Sequence, residues 1–276
     1  MNLHDDVALV TGAGRGVGRA VALELASLGA HLVVNDLDPQ PLAETVSAVR
    51  EAGGRAVALP GDITRADFAP AFIGLGMSTF GRIDIVVNNA GWADAAAAHK
   101  LTDEQWNQMI AVHLLAPFQI LRAAHRVFVD QAKADDAEGA PRHRKVVNVT
   151  SVAGVYGASG VAHYAAAKAG LVGLTKTLAK EWGRYRVNVN AVALGTIDTR
   201  LTRPPSAKDA LTTTSGRVVA IGTAAAVRER LINESPLRRP GRPDEAARAI
   251  SMLCTAAADY VTGHVLHCDG GATATV

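Results

Sequence analysis

Near residue 10, an apolar run, Val7-Ala8-Leu9-Val10, passes straight into Thr11-Gly12-Ala13-Gly14-Arg15-Gly16-Val17-Gly18. An amphipathic stretch follows, with Val17, Val21, Leu25 and Leu28 on one helical stripe. A strand that turns through glycine into a helix leaves the first helical N–H groups and the positive end of the dipole free for phosphate. The glycines let the backbone turn tightly and approach a pyrophosphate closely. An acid, Asp36, closes the second apolar run. A carboxylate there accepts both hydroxyls of an adenosine ribose and repels a 2′-phosphate, which predicts NAD rather than NADP. Arg15 pulls the other way, because a cation beside the ribose could receive a phosphate. Asp36 weighs more: like charges at close range repel strongly, and Arg15 could stack on the adenine instead.

The same alternation continues along the chain. Residues 7–11, 31–36, 55–59, 84–88, 145–150, 186–192 and 265–268 read as strands. The first, fourth and fifth are nearly continuous in Val, Ile and Leu, as in strands covered on both faces. Helical stretches fill the gaps; Leu171, Leu174, Leu178 and Trp182 make another stripe, and Gly29 and Gly53-Gly54 read as helix stops. The repeated βα order predicts an α/β fold, a doubly wound parallel sheet (Rossmann fold) of about seven strands in a single domain over residues 1–276. Two segments break the rhythm. Residues 130–144 are polar, contain Gly139 and Pro141, and read as a surface loop. Residues 201–237 hold Pro204, Pro205, Gly216 and Pro236 around apolar patches and read as a partly helical substrate loop or lid.

Charge excludes several partners. With 28 basic and 26 acidic residues, the formal net charge of +2 gives no reason to expect nucleic acid or an anionic membrane. Two cysteines, Cys254 and Cys268, do not make a disulfide framework and read as reduced thiols. The histidines lack metal-site spacing, so no metal is expected. No targeting pattern or spanning apolar run is evident, and the cytoplasm is the default location.

The glycine spacing is TGxxxGxG, and here the sequence resembles the short-chain dehydrogenases/reductases, in the branch of the 3-oxoacyl-[acyl-carrier-protein] reductases. Asp62-Ile63, Asn88-Asn89-Ala90-Gly91, Val261-Thr262-Gly263 and Asp269-Gly270-Gly271 match further motifs of that family in order. The resemblance implies a cofactor site of Gly12, Arg15, Gly16, Val17, Gly18, Asp36, Asp62, Ile63, Asn89, Ala90 and Gly91. It adds Ile197 at the carboxamide of the nicotinamide, Thr199 near the phosphates, and Tyr164 and Lys168.

Tyr164 and Lys168 are four residues apart, on one helical face. A neighbouring cation would favour the phenolate of a side chain whose pKa is otherwise near 10, and let Tyr164 act as acid or base. Ser151 ends the fifth strand and would steady charge on the substrate oxygen. Where the family often has Asn, this chain has His113, whose side chain either joins a proton relay or is simply packed. Pro117 lacks the N–H that would bond the His113 carbonyl, which frees that carbonyl to hold a relay water. Leu194-Gly195 replaces the family's Pro-Gly, so a slightly looser loop is expected there.

The resulting expectation is an NAD(H)-dependent oxidoreductase interconverting a secondary alcohol and a ketone, a 3-oxoacyl thioester or a cyclic ketone among the candidates. The resemblance implies a homotetramer. A catalytically silent nucleotide sensor or scaffold on the same fold is the alternative, although it would have no chemical need for Ser151, Tyr164 and Lys168.

Overall fold

The computed structural model describes residues 2–206, 210–213 and 216–274. Seven parallel strands form one sheet in the order β3-β2-β1-β4-β5-β6-β9. They are β1 (Val7–Val10), β2 (His31–Val34), β3 (Ala56–Ala58), β4 (Ile85–Asn88), β5 (Arg144–Ser151), β6 (Val187–Leu194) and β9 (Val265–Cys268). A small antiparallel pair, β7 (Leu211–Thr212) and β8 (Val218–Val219), stands apart. The doubly wound reading of the sequence is therefore the observed one.

Alternation along each strand loads both faces with apolar side chains. Ala8 and Val10 of β1 face the cluster built with α1 (Gly16–Ser27), α2 (Pro39–Glu51) and α9 (Pro243–Cys254). Val7 and Leu9 face the other cluster, with Phe72 of α3 (Phe68–Phe80), Ile120 of α5 (Ala116–Ala137) and Leu178 of α7 (Ala162–Trp182). The strand order runs outward in opposite directions from β1 and β4. Their carboxyl ends, Thr11 and Asn88-Asn89, thus flank the crevice where such sheets take ligands.

One expectation fails. Residues 130–144 are not a loop: α5 continues to Ala137, and only residues 138–143 connect it to β5. The polarity of the segment belongs to its solvent face. On its inner face Ala132 is buried, and the Gln131 amide both accepts from Ile83 N (2.9 Å) and donates to Ile83 O (2.8 Å). Residues 201–237 are partly helical as expected, through α8 (Ala225–Glu234). Five positions of that excursion, 207–209 and 214–215, lie outside the described residues. Leu194, where the family's proline would stand, lies inside β6. It extends β6 to pair with Cys268, and Gly195 N donates to Cys268 O at 3.1 Å.

Candidate active site

Side-chain and backbone hydrogen bonds staple the switch point. Asn89 Nδ2 donates to Thr11 O (3.0 Å) and Gly12 O (3.1 Å), while Asn89 N and Ala90 N donate to Thr11 Oγ1. The packing leaves no room for side chains in the glycine turn. A Cβ on Gly12 would lie 2.7 Å from Ala90 Cα, and one on Gly18 would lie 2.0 Å from Gly12 O. Gly12 and Gly16 also have positive φ values, 65° and 52°. Helix α1 begins at Gly16 with no side-chain cap and no acid in its first turn, so its N-terminus is available to an anion. Val17 packs against the core from that turn, and Thr199 faces Gly16: a Cβ there would meet Thr199 Cγ2 at 3.2 Å. These residues fit a dinucleotide pyrophosphate.

Asp36 folds onto the same turn. Its Oδ2 accepts from Gly14 N at 2.8 Å and its Oδ1 from Asp38 N at 3.1 Å. Arg15 is paired with Asp38 at 2.8 Å, and Asp38 also caps α2. Across the groove, Asn35 Nδ2 donates to Leu59 O and Gly61 O and so fixes the turn that carries Asp62. Ile63 and Ile197 are buried, which leaves their backbone as the part able to touch a cofactor.

The catalytic candidates come together at the ends of β5 and α7. Asn88 Nδ2 donates to Asn148 Oδ1, Asn148 Nδ2 to Thr175 Oγ1, and Thr175 Oγ1 to Leu171 O, all within 2.9 Å. This buried relay locks α7 to the sheet and with it Tyr164 and Lys168. Asn148 and Thr175 carry no motif signal. Ser151 caps a short helix, α6 (Val152–Tyr156), accepting from Ala153 N at 3.2 Å, and its hydroxyl is near enough to that of Tyr164 to favour the phenolate. Lys168 is buried; its Nζ donates to Val149 O at 2.6 Å and lies 5.7 Å from the centre of the Tyr164 ring.

Their ionisation departs from expectation. Burial pushes the Lys168 pKa down to about 7. Burial also raises that of Tyr164, with the Ser151 hydroxyl opposing, so proximity to Lys168 does not by itself yield a phenolate. Both groups lose more hydration on charging than the other returns.

His113 lies in a single π-helical turn, Ala111–Leu115, between α4 (Asp103–Ile110) and α5. Such turns frequently mark functional sites. Pro117 follows in the first turn of α5, without an N–H to bond the His113 carbonyl. The buried ring donates from Nε2 to Trp92 O (2.6 Å) and meets Tyr164 edge to face, with centroids 5.0 Å apart. Burial first, then Lys168, holds its pKa well below the ordinary value, so the ring is neutral.

Gly91 is the price of that position: a Cβ there would stand 2.1 Å from His113 Cε1. Gly91→Ala is expected to lower unfolding stability by about 1–3 kcal/mol through overpacking, read in urea titrations. In a His113→Ala background most of that cost should vanish. An equal cost in both backgrounds would place the clash elsewhere.

Among the described residues, no group of three or more His, Cys, Asp or Glu side chains is placed to hold a metal ion, and no helix is long and apolar enough to cross a membrane. Cys254 and Cys268 are both free.

A family model described as Enoyl-(Acyl carrier protein) reductase matches residues 12–273. The chain is 36% identical over 271 residues to a 3-oxoacyl-[acyl-carrier-protein] reductase of Synechocystis sp., covering 98% of this chain and 97% of that one. It is 33% identical over 271 residues to a (2S)-[(R)-hydroxy(phenyl)methyl]succinyl-CoA dehydrogenase subunit of Thauera aromatica, covering 98% of each. A crystal structure from Sinorhizobium meliloti, assigned as a short-chain alcohol dehydrogenase, superposes with a TM-score of 0.85 at 30% identity over 100% of this chain and 99% of that one.

Proposed function

We propose, from the fact that this chain belongs to the short-chain dehydrogenase/reductase family and is an oxidoreductase, that it transfers hydride between NAD(H) and a secondary alcohol or ketone. The observation that carries the reading is the convergence of Ser151, Tyr164 and Lys168 beside the glycine turn at the sheet's switch point. A 3-oxoacyl or 3-hydroxyacyl thioester is the favoured substrate class, since relatives named for acyl-carrier-protein and CoA esters align over nearly the whole chain. Nothing observed favours the silent sensor.

The nicotinamide cofactor supplies or accepts the hydride. Tyr164 donates its proton to the carbonyl oxygen in reduction and takes it back in oxidation, and Ser151 hydrogen-bonds that oxygen. Lys168 holds the proton path open from a buried position on Val149 O. His113 contributes its ring edge and its carbonyl, the latter to hold a water that refills Lys168. Its neutral ring, tied to Trp92 O, is not a proton carrier. Location in the cytoplasm and a homotetramer complete the reading. Trp106, Leu115 and Phe118 leave exposed apolar side chains on α4, the π turn and α5 for such contacts.

The NAD preference rests on Asp36, and it gains support from Asp38, which pairs with Arg15, the cation beside the glycine turn that argues for NADP. Asp36→Ala is expected to cost about 10- to 100-fold in kcat/KM with NAD, the worth of charge-assisted hydrogen bonds to a ribose, while narrowing the gap to NADP. The test is nicotinamide absorbance with both cofactors over a panel of hydroxyacyl-CoA thioesters, cyclic alcohols and their ketones. A wild type that turns over only with NADP(H) would overturn the cofactor assignment.

A further inference from the structure

Read from sequence, residues 201–237 belong to the substrate pocket. Part of the excursion lies elsewhere. Leu211 and Thr213, in and beside β7, line a cavity of about 620 Å³ together with Leu37, Asp62, Asn107 and Val112. Leu37 follows the ribose acid Asp36, and Asp62 ends the turn fixed by Asn35. The cavity is therefore continuous with the adenosine end of the cofactor groove, and β7 stands over it.

Arg217 ties the strand pair to the body of the protein. Arg217 is tied to the wall of the cavity through its backbone: Thr213 N donates to Arg217 O at 2.8 Å, and Arg217 N to Thr213 Oγ1 at 3.1 Å. Its guanidinium reaches across to the body of the protein. Nη1 donates to Asp94 Oδ2 at 2.6 Å, Nη2 to Gln108 Oε1 at 2.7 Å, and Cζ lies 5.5 Å from the centre of the Trp92 ring.

Asp94 is a firm anchor. It is mostly buried, its Oδ1 is 2.8 Å from Nε2 of the fully buried His163, and its Oδ2 also accepts from Gln105 Nε2 at 3.0 Å. A planar guanidinium gripping a carboxylate and an amide while stacking on an indole is a directional clasp that lysine cannot reproduce.

We infer that the β7–β8 pair is a cover over the adenosine end of the cofactor site, and that Arg217 is the positioning residue that clasps it shut on Asp94 and Gln108. The inference rests on the cofactor reading above. Release of a bound dinucleotide then requires the clasp to open, and its loss should show in the off-rate more than in the on-rate.

The test is stopped-flow NADH fluorescence on the full-length protein without any alcohol or ketone present. Arg217→Ala is expected to raise the NADH off-rate by about ten-fold or more, the worth of two hydrogen bonds from a charged group. Asp94→Asn, which keeps the shape of the anchor, should do the same, and Arg217→Lys should restore part of the retention. Off-rates within about two-fold of wild type in both Arg217→Ala and Asp94→Asn would overturn the inference. So would an unchanged off-rate accompanied by a raised KM for the ketone, which would return the strand pair to the substrate pocket. If wild type itself binds no NADH, the cofactor reading fails instead, so the two failures are distinguishable.

Discussion

Tyr164→Phe is expected to reduce turnover roughly 10²- to 10⁴-fold, the usual range for deleting a general acid–base, while leaving NADH binding in place. The substitution removes one hydroxyl and keeps the ring that packs edge to face on His113. Its structural cost is confined to the polar contact with the Ser151 hydroxyl. The loss should therefore appear in kcat, with unfolding midpoint and cofactor Kd close to wild type. Because burial raises the Tyr164 pKa, the wild type should oxidise alcohols faster as pH climbs, as more phenolate becomes available, and reduce ketones faster at lower pH, where the phenol keeps its proton. The variant should show neither trend. Substantial turnover in Tyr164→Phe with the wild-type pH dependence would mean that another group moves the proton. Lys168 would be the first suspect.

How much of this site could be read from the sequence depends on how far apart in the chain its partners lie. The glycine turn, Asp36, Asn88–Gly91 and the Tyr164–Lys168 pair are local patterns, and the structure brings them to one crevice because strands β1 and β4 are neighbours. The supporting contacts are not local. Asn88, Asn148 and Thr175 form a relay between three elements, and Asp94 meets Arg217 across 123 positions of sequence. No spacing announces such pairs. The end of α5 was hidden for a different reason: residues 130–137 present a polar face to water, and the few inward atoms, on Gln131 and Ala132, leave too weak a period to separate helix from loop. His113 stands between these cases. Its position was legible, but its role turns on the carbonyl of Trp92 and the absence of a Cβ at Gly91, neither of which a motif reports.

Lys168→Met is expected to abolish most activity and at the same time stabilise the cofactor-free protein. Unfolded, Lys168 keeps its proton up to its ordinary pKa of 10.5, whereas folded it releases it near 7, because burial withholds the water that an ammonium needs. Between those two values the unfolded chain binds the extra proton, so the stability set by this residue rises with pH across the window, and below 7 the folded chain carries the whole penalty. At 1.36 kcal/mol per pKa unit that penalty is of the order of 3–5 kcal/mol. Methionine has a similar length and no charge to bury. It forfeits the bond to Val149 O, about 1 kcal/mol plus an unpaired carbonyl, so a net gain of about 1–3 kcal/mol should remain at pH 6. In a chain this size that raises Tm by about 2–4 °C per kcal/mol. The advantage should shrink steadily as pH approaches 10, where wild-type Lys168 is already neutral when folded. Thermal unfolding of both proteins at equal concentration across that range reads the difference directly. A Tm gap of the same size at pH 6 and pH 10, or a variant less stable at both, would show that the buried ammonium is accommodated without strain, and that Lys168 is not held in the poised state a proton path requires.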